Sequence, residues 1–154
     1  MKRYLFIASL TAVILAWSAA PLAARGDHDS PFVGTWKLNV AKSNFSPGPP
    51  PKAVTVTIDG DGKVSVEEIG ANDKSLTWSY TYSADTAVPI EGMDNSTVME
   101  KRSGKTVDHD WKFGDASMKG HGVVSKNGKT MTYTMTGTSP DGHPVHNVEV
   151  YDRQ

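Results

Sequence analysis

Hydrophobic and polar residues alternate with a period of two along most of the chain from Gly34 onward. Residues 53–58, 75–82 and 130–136 show the pattern most clearly, with valine, aromatic or methionine side chains separated by threonine and serine. Such alternation predicts β-strands with one buried face, and no stretch of useful length has the period of an amphipathic helix. Turn signals recur about every ten residues. The pattern predicts an all-β protein, an antiparallel up-and-down meander barrel of about eight to ten strands.

Charged residues on both sides of residues 114–115 test how two of these strands pair. If Gly114-Asp115 is a two-residue turn, Asp110 lies opposite Lys119 and Asp108 lies opposite His121. Opposite charges directly across an antiparallel pair are favourable, so in this register the face that carries these four residues is exposed to solvent. The other face then points inward and carries Val107, His109, Trp111 and Phe113 against Gly122, Gly120, Met118 and Ala116.

A second two-residue turn, at residues 127–128, extends the same inner face along the following strand. The inward residues of that strand are Met131, Tyr133 and Met135. Together with the aromatic strand at residues 75–82, they predict an interior rich in rings and thioethers. The candidate ligand-binding residues are Trp78, Tyr80, His109, Trp111, Gly120, Gly122, Tyr133 and Met135.

This lining is typical of a site for a small apolar or amphipathic molecule. Aromatic rings provide flat walls, methionines adapt to irregular shapes, and two opposed glycines leave room for a ligand. We therefore expect a cavity that opens beside Gly120 and Gly122. The alternative is a barrel filled by its own side chains. Such a protein would act through its surface, as an envelope interaction partner or an inhibitor of a secreted enzyme.

The two ends of the predicted domain carry residues suited to closing a barrel. Trp36 lies in the first strand within Gly34-Thr35-Trp36, and Arg153 lies in the last strand. First and last strands pair when an up-and-down barrel closes. A guanidinium lying over an indole ring gains about 0.5–2 kcal/mol. We therefore predict that Arg153 packs over Trp36.

The N-terminal residues have the pattern of an export signal. Lys2 and Arg3 precede the apolar residues 4–17, and small residues follow up to Ala24. The apolar run is shorter than the about 20 residues that span a bilayer. These features predict a signal peptide at 1–24, a disordered leader at 25–30 and a lipocalin-like β-barrel domain at 31–154, exported to the periplasm or the extracellular space.

Charge and cysteine content narrow the classes of partner. The formal net charge is −1 at pH 7 with both signs mixed along the chain, so no basic footprint for nucleic acid is present. The chain has 0 cysteines, which excludes a disulfide and a lipid-anchored cysteine. We expect no nucleic-acid partner and no membrane anchor, and the sequence names no protein partner.

Catalytic and metal-binding patterns are weak. His143 and His146 are three residues apart and lie on opposite faces of a strand, which does not suit a shared metal. Asp108 and Asp110 flank His109, but alternation turns both aspartates away from the imidazole. No nucleophile or phosphate loop accompanies them. We therefore expect no catalytic residue, no metal site and no cofactor, and a protein that is not an enzyme.

The opening of the domain resembles that of the intracellular fatty-acid-binding proteins. The matching residues are Phe32-Val33-Gly34-Thr35-Trp36-Lys37-Leu38. The resemblance implies a barrel of the calycin superfamily. Those proteins clamp a fatty-acid carboxylate with Arg-x-Tyr on the last strand, where this chain has Glu149-Val150-Tyr151. The clamp arginine is therefore absent. The helical lid of those proteins is also not expected, because residues 41–52 are short and rich in proline.

Over its whole length after the signal the chain is similar to a family of secreted bacterial lipocalin-like proteins. The similarity includes Gly34-Thr35-Trp36-Lys37-Leu38 and the closing Val150-Tyr151-Asp152-Arg153-Gln154. It implies the calycin barrel and export but no ligand. The last strand remains ambiguous, because hydrophobic alternation would bury Val148 and Val150 whereas the fatty-acid-binding proteins would turn Glu149 and Tyr151 inward.

Overall fold

The structure is a computed structural model that describes residues 28–154. The predicted signal peptide at 1–24 and residues 25–27 of the predicted leader lie outside the described residues. Ser30, which we expected in a disordered leader, is buried, and its carbonyl oxygen accepts a hydrogen bond from the Val33 amide at 3.1 Å. The packed part of the chain therefore includes Ser30. No helix in residues 28–154 is long and apolar enough to cross a membrane.

The described chain forms one antiparallel sheet of ten strands, as the alternation predicts. The strands are β1 (Gly34–Leu38), β2 (Ala53–Ile58), β3 (Lys63–Ile69), β4 (Ser75–Thr81), β5 (Val88–Pro89), β6 (Ser96–Ser103), β7 (Thr106–Phe113), β8 (Ala116–Val124), β9 (Thr130–Thr138) and β10 (Pro144–Arg153). A single 3-10 turn follows β1 at Val40–Lys42. Each strand pairs with its sequence neighbours except at one seam, and β1 also pairs with β10.

The remaining seam, between β4 and β5, is narrow. Ser79 in β4 and Glu91, just beyond β5, exchange two backbone hydrogen bonds of 3.0 and 2.8 Å. No longer ladder joins these two strands, so the sheet is a nearly closed barrel. The inward residues of its strands form the core.

The register predicted from the two turns is confirmed. Asp110 pairs with Lys119 and Asp108 pairs with His121, with nitrogen to oxygen distances of 2.6 Å in both ion pairs. These four side chains are exposed, while Trp111 on the other face is buried. Across the second turn the inward methionines and tyrosine of β9 also face the interior, as the lining of the core shows.

The predicted packing of Arg153 over Trp36 is also confirmed. The Arg153 Cζ atom lies 4.1 Å from the centre of the Trp36 ring, and Trp36 is fully buried. Trp36 Nε1 donates a hydrogen bond to the Phe32 carbonyl at 2.7 Å. The guanidinium passes close to Gly34, where a Cβ would lie 2.7 Å from Arg153 Nη1, and Gly34 has a φ of +134°. The glycine of the Gly-x-Trp pattern therefore provides both the backbone angle and the space that the arginine needs.

Candidate functional site

The barrel encloses a cavity of about 360 Å³. One wall is aliphatic and comes from the inward residues of β2 and β3, which are Val54, Val56, Ile58, Val64 and Val66. The other walls are mainly aromatic. Because strand side chains point alternately inward and outward, the sequence pattern alone sends these residues to the same space.

The aromatic wall is a connected group centred on Trp111. The Trp111 ring makes edge-on contacts with Trp78 and Tyr80, at centroid distances of 5.6 and 6.0 Å. It also stacks on His109 at 5.0 Å and on Phe113 at 6.0 Å. Rings packed in this way add about 0.5–1.5 kcal/mol per pair beyond their buried area. The rings therefore hold one another in place and form a well-packed surface against which a ligand could lie.

The proline-rich segment at residues 41–52 borders the cavity. Its inward residues are Phe45, Pro47, Pro49 and Pro51. The segment is fastened to β10, because the backbones of Asn44 and Val148 exchange hydrogen bonds of 2.7 and 2.8 Å. The amide of His146 adds a bond of 2.7 Å to the Ser46 carbonyl. As expected, no helical lid forms here, since the only helical residues between β1 and β2 are those of the 3-10 turn at Val40–Lys42. The segment instead forms part of the cavity wall.

Six of the eight sequence-predicted residues line the cavity: Trp78, Tyr80, His109, Trp111, Tyr133 and Met135. The expectation that Gly120 and Gly122 leave room for a ligand is wrong. A Cβ on Gly120 would lie 1.6 Å from Tyr133 Oη, and one on Gly122 would lie 2.7 Å from Val107 Cγ1 and 3.1 Å from Tyr133 Cδ2. The Tyr133 side chain occupies the space beside both glycines, and its hydroxyl accepts a hydrogen bond of 2.8 Å from Trp111 Nε1.

A buried polar cluster that the sequence reasoning missed faces the same cavity. Glu100 and Arg102 come from β6, where the period of two places them on the same face as the fully buried Val98. Glu100 Oε2 accepts a hydrogen bond of 2.6 Å from the Tyr80 hydroxyl and lies 3.2 Å from His109 Nε2. Arg102 Nε donates to Glu100 Oε1. The same alternation argument applied to residues 96–103 would have revealed the pair.

The electrostatics of this cluster favour an ionised Glu100. Burial by itself would raise the pKa of this carboxyl, but the hydrogen bond from His109 and the charges of His109 and Arg102 lower it from 4.5 to about 2. The Arg102 guanidinium stacks over Tyr82 at 4.3 Å and lies 5.7 Å from the Phe32 ring centre. Among residues 28–154, two buried side-chain nitrogens have no hydrogen-bond partner, Arg102 Nη1 and His109 Nδ1.

The structure decides the orientation of the last strand in favour of Glu149 and Tyr151. Both are buried and line the cavity, and the Tyr151 hydroxyl donates a hydrogen bond of 2.6 Å to Glu149 Oε2. Tyr151 lies opposite Met131 in β9 and opposite Leu38 in β1, which are both buried. Directly opposed residues share a face, so the pairing of β10 with both neighbours turns this acid inward.

A third inward carboxyl, besides those of Glu100 and Glu149, belongs to Glu68 of β3. Burial raises the pKa of Glu149, hydrogen bonds from Tyr151 and Asn147 lower it in part, and the Glu68 charge raises it further. Burial also raises the pKa of Glu68. The surroundings of Glu68 and Glu149 therefore disfavour the charged form of each carboxyl, whereas those of Glu100 favour it.

We expect Glu100 and Glu149 to give opposite pH dependences of stability. The folded pKa of Glu100 lies below its unfolded value, so its contribution is present above about pH 4.5 and is lost as the pH falls towards about 2. The folded pKa of Glu149 lies above its unfolded value, so its contribution is lost as the pH rises through the folded value.

Chemical denaturation between pH 2 and 7 of Glu100→Gln and Glu149→Gln measures both effects. Glu100→Gln should lose stability mainly above about pH 4.5, whereas Glu149→Gln should gain stability relative to the parent as the pH rises from acid to neutral. Parallel pH profiles for the parent and both variants would contradict the assigned surroundings.

Within residues 28–154 no group of three or more His, Cys, Asp or Glu side chains is placed to hold a metal ion. Asp108 points outward to His121, so it does not orient His109. What the interior offers chemically is a set of apolar walls with two polar groups: the Glu100–Arg102–His109–Tyr80 cluster and the Glu149–Tyr151–Glu68 group.

No protein-family model matches this chain, and no curated protein matches it. Solved structures do. Fatty-acid-binding protein 1 of Echinococcus granulosus is 15% identical over 80% of this chain and 97% of its own, with a TM-score of 0.53. A Schistosoma mansoni fatty-acid-binding protein in complex with arachidonic acid is 19% identical over 84% and 99%, with a TM-score of 0.54.

A third similar structure is the fluorescent protein UnaG, which is 16% identical over 80% of this chain and 97% of its own, with a TM-score of 0.50. At these identities the similarity shows the fold alone. The chain therefore shares the antiparallel β-barrel fold of these structures, with almost no helix among residues 28–154.

Proposed function

We propose that this protein is an exported binding module that holds a small apolar or amphipathic molecule inside its barrel. The observation that carries the proposal is the cavity of about 360 Å³ with apolar walls and a few inward polar groups. Small-molecule sites are typically concave, mostly apolar and about 300–1,000 Å³ in volume. Burial of the ligand's apolar surface would supply the main driving force, at about 25 cal/mol per Å².

Two further observations support a binding role rather than catalysis. The similar solved structures include proteins named for fatty-acid binding. The polar groups of the interior are tied to one another by hydrogen bonds, as Tyr80 and Arg102 are to Glu100. Export, as a secreted bacterial lipocalin-like protein of the periplasm or the extracellular space, is proposed from the charge and apolar pattern of residues 1–24.

The test is a titration of the purified protein with Nile red, a neutral dye whose fluorescence rises in apolar surroundings. We expect saturable binding at one site. Met135→Trp, which enlarges an inward residue of the cavity wall, should weaken dye binding by about tenfold or more. Thr136→Trp adds the same ring at the neighbouring exposed position and is the matched control.

Circular dichroism would establish that each variant is folded. Absence of saturable dye binding in the folded parent would contradict the proposal and would favour the filled barrel that acts through its surface. Native mass spectrometry of protein purified from its own host would then identify any co-purifying ligand by its mass.

A further inference from the structure

The charges that line the cavity do not balance. Three carboxyl side chains, Glu68, Glu100 and Glu149, face it together with two groups that can carry positive charge, the guanidinium of Arg102 and the imidazole of His109. Both of these are already paired with Glu100. None of the ion pairs among residues 28–154 involves Glu68 or Glu149. The cavity therefore contains two carboxyls with no cationic partner.

Glu149 is the more enclosed of these two carboxyls. It is 9% exposed, and it accepts a hydrogen bond from the Tyr151 hydroxyl, a donor that carries no positive charge. Burial and the nearby Glu149 raise the pKa of Tyr151 well above its ordinary value, so the phenol stays protonated. An ionised carboxylate in an apolar interior is costly without a positive partner. A positively charged group in the cavity would remove that cost.

The imidazole of His109 provides an independent indication of a missing donor. Its side chain is 8% exposed and lines the cavity, with Nε2 directed at Glu100 Oε2. When Nε2 carries the proton that Glu100 accepts, Nδ1 of a neutral imidazole is an acceptor. Nδ1 is buried and has no hydrogen-bond partner. In this neutral form, a ligand that supplies an N–H or O–H group would pair with Nδ1.

The aromatic wall suits a cation as well. The rings of Trp78, Tyr80, Trp111 and Tyr133 line the cavity. Their faces carry negative electrostatic potential, which attracts an ammonium group, most strongly where the group is desolvated. Carboxylates and ring faces together form a common setting for binding an organic cation.

Arg102 Nη1 would favour an anion, since this donor has no partner. Its charge is already matched by Glu100, whose carboxylate is held ionised, and its plane is covered by Tyr82 and Phe32. A fatty-acid carboxylate would enter as a fourth acidic group in a cavity with one guanidinium. Ionised Glu149 and Glu68 would repel it, and in their neutral forms they would supply no positive charge to hold it.

We propose that the ligand is a cationic amphiphile, an apolar body carrying a protonated amine, and that Glu149 and Glu68 bind the ammonium group. The inference rests on the proposed function, because it names the class of molecule that the same cavity selects. It also reverses the preference of a carboxylate clamp, since an acid stands where that clamp would place its arginine.

Displacement of Nile red by three ligands of equal chain length tests the selectivity. Dodecylammonium, dodecanol and dodecanoate differ only in the polar group. We expect dodecylammonium to displace the dye at about tenfold lower concentration than dodecanol, and dodecanoate to be weaker than dodecanol. All three are used below their aggregation concentrations and at one ionic strength.

Variants assign the preference to the two carboxyls. Glu149→Gln and Glu68→Gln should each reduce the affinity for dodecylammonium by about tenfold and that for dodecanol by much less. Glu67→Gln, on the exposed face of the same strand as Glu68, is the matched control and should change neither. If Glu149→Gln does not fold, the half-buried position of Glu68 still supplies a variant.

Equal or tighter binding of dodecanoate would overturn the inference, and so would an amine preference that survives both glutamine variants. In either case, displacement by dodecanol would still support the proposed function. If neither Nile red nor dodecanol binds, the proposed function itself fails. The neutral ligands thus separate the two hypotheses.

Discussion

Arg153→Ala should lower the free energy of unfolding by about 2–4 kcal/mol, because the side chain joins the two ends of the barrel. The guanidinium covers the Trp36 ring at 4.1 Å. It also donates hydrogen bonds to the carbonyl oxygens of Pro31, Val33 and Gly128. Removal of the side chain deletes a cation–π contact and leaves three carbonyl groups without their charged donor. Hydrogen bonds to charged groups contribute about 1.5–3 kcal/mol each, and part of that value is recovered by water.

Urea denaturation of the parent and the variant at neutral pH measures this effect, and Arg153→Lys is the control. Lysine keeps the positive charge and most of the aliphatic stem, but its ammonium group lacks the planar geometry with which the guanidinium reaches three carbonyl oxygens. We therefore expect an intermediate loss of unfolding free energy. A change below about 0.5 kcal/mol for Arg153→Ala would show that the closing contacts are replaced by solvent.

Gly120→Leu should destabilise the fold by about 1–3 kcal/mol and also weaken the binding of an apolar dye. The first effect follows because a Cβ at this position would meet Tyr133 Oη at 1.6 Å. The second follows because Tyr133 lines the cavity and has to move when the leucine occupies its place. The displaced ring would also leave Trp111 Nε1 without its acceptor, which adds to the cost.

A double-mutant cycle with Tyr133→Ala isolates the cause. The ring and the leucine compete for one space, so Gly120→Leu should cost less in the Tyr133→Ala background, with a coupling of about 1–2 kcal/mol. Additive losses would mean that the leucine is accommodated elsewhere. A stable Gly120→Leu protein with undiminished dye binding would show that the glycine faces space the ligand does not use.

Several features of the fold follow from the sequence because they are local. Side-chain alternation specifies which face of each strand is buried, and short glycine turns fix how neighbouring strands pair. Counting across residues 114–115 and 127–128 was therefore sufficient to place His109, Trp111 and Tyr133 in the interior. The same alternation also places Glu100 and Arg102 inward, although charged residues on a core face are easily discounted.

The last strand could not be oriented in the same way. Residues 139–143, between β9 and β10, form a longer loop without a two-residue turn, so the register cannot be counted across it. A shift of one residue would exchange Glu149 and Tyr151 for Val148 and Val150. The pairing of β10 with β1, which exists only in the closed barrel, decides that the acid faces inward.

Strand period, turn length and the positions of the chain ends can be read from the sequence, and they were enough to predict the all-β barrel, most of the aromatic wall and the packing of Arg153 over Trp36. Two features depend instead on contacts that exist only in the folded barrel: what fills the space beside Gly120 and Gly122, and which charges meet inside. The first depends on the direction in which the Tyr133 side chain leaves its strand. The second depends on β3, β6 and β10, which come from distant parts of the chain and bring Glu68, Arg102 and Glu149 to one cavity, so that no local sequence pattern reveals it.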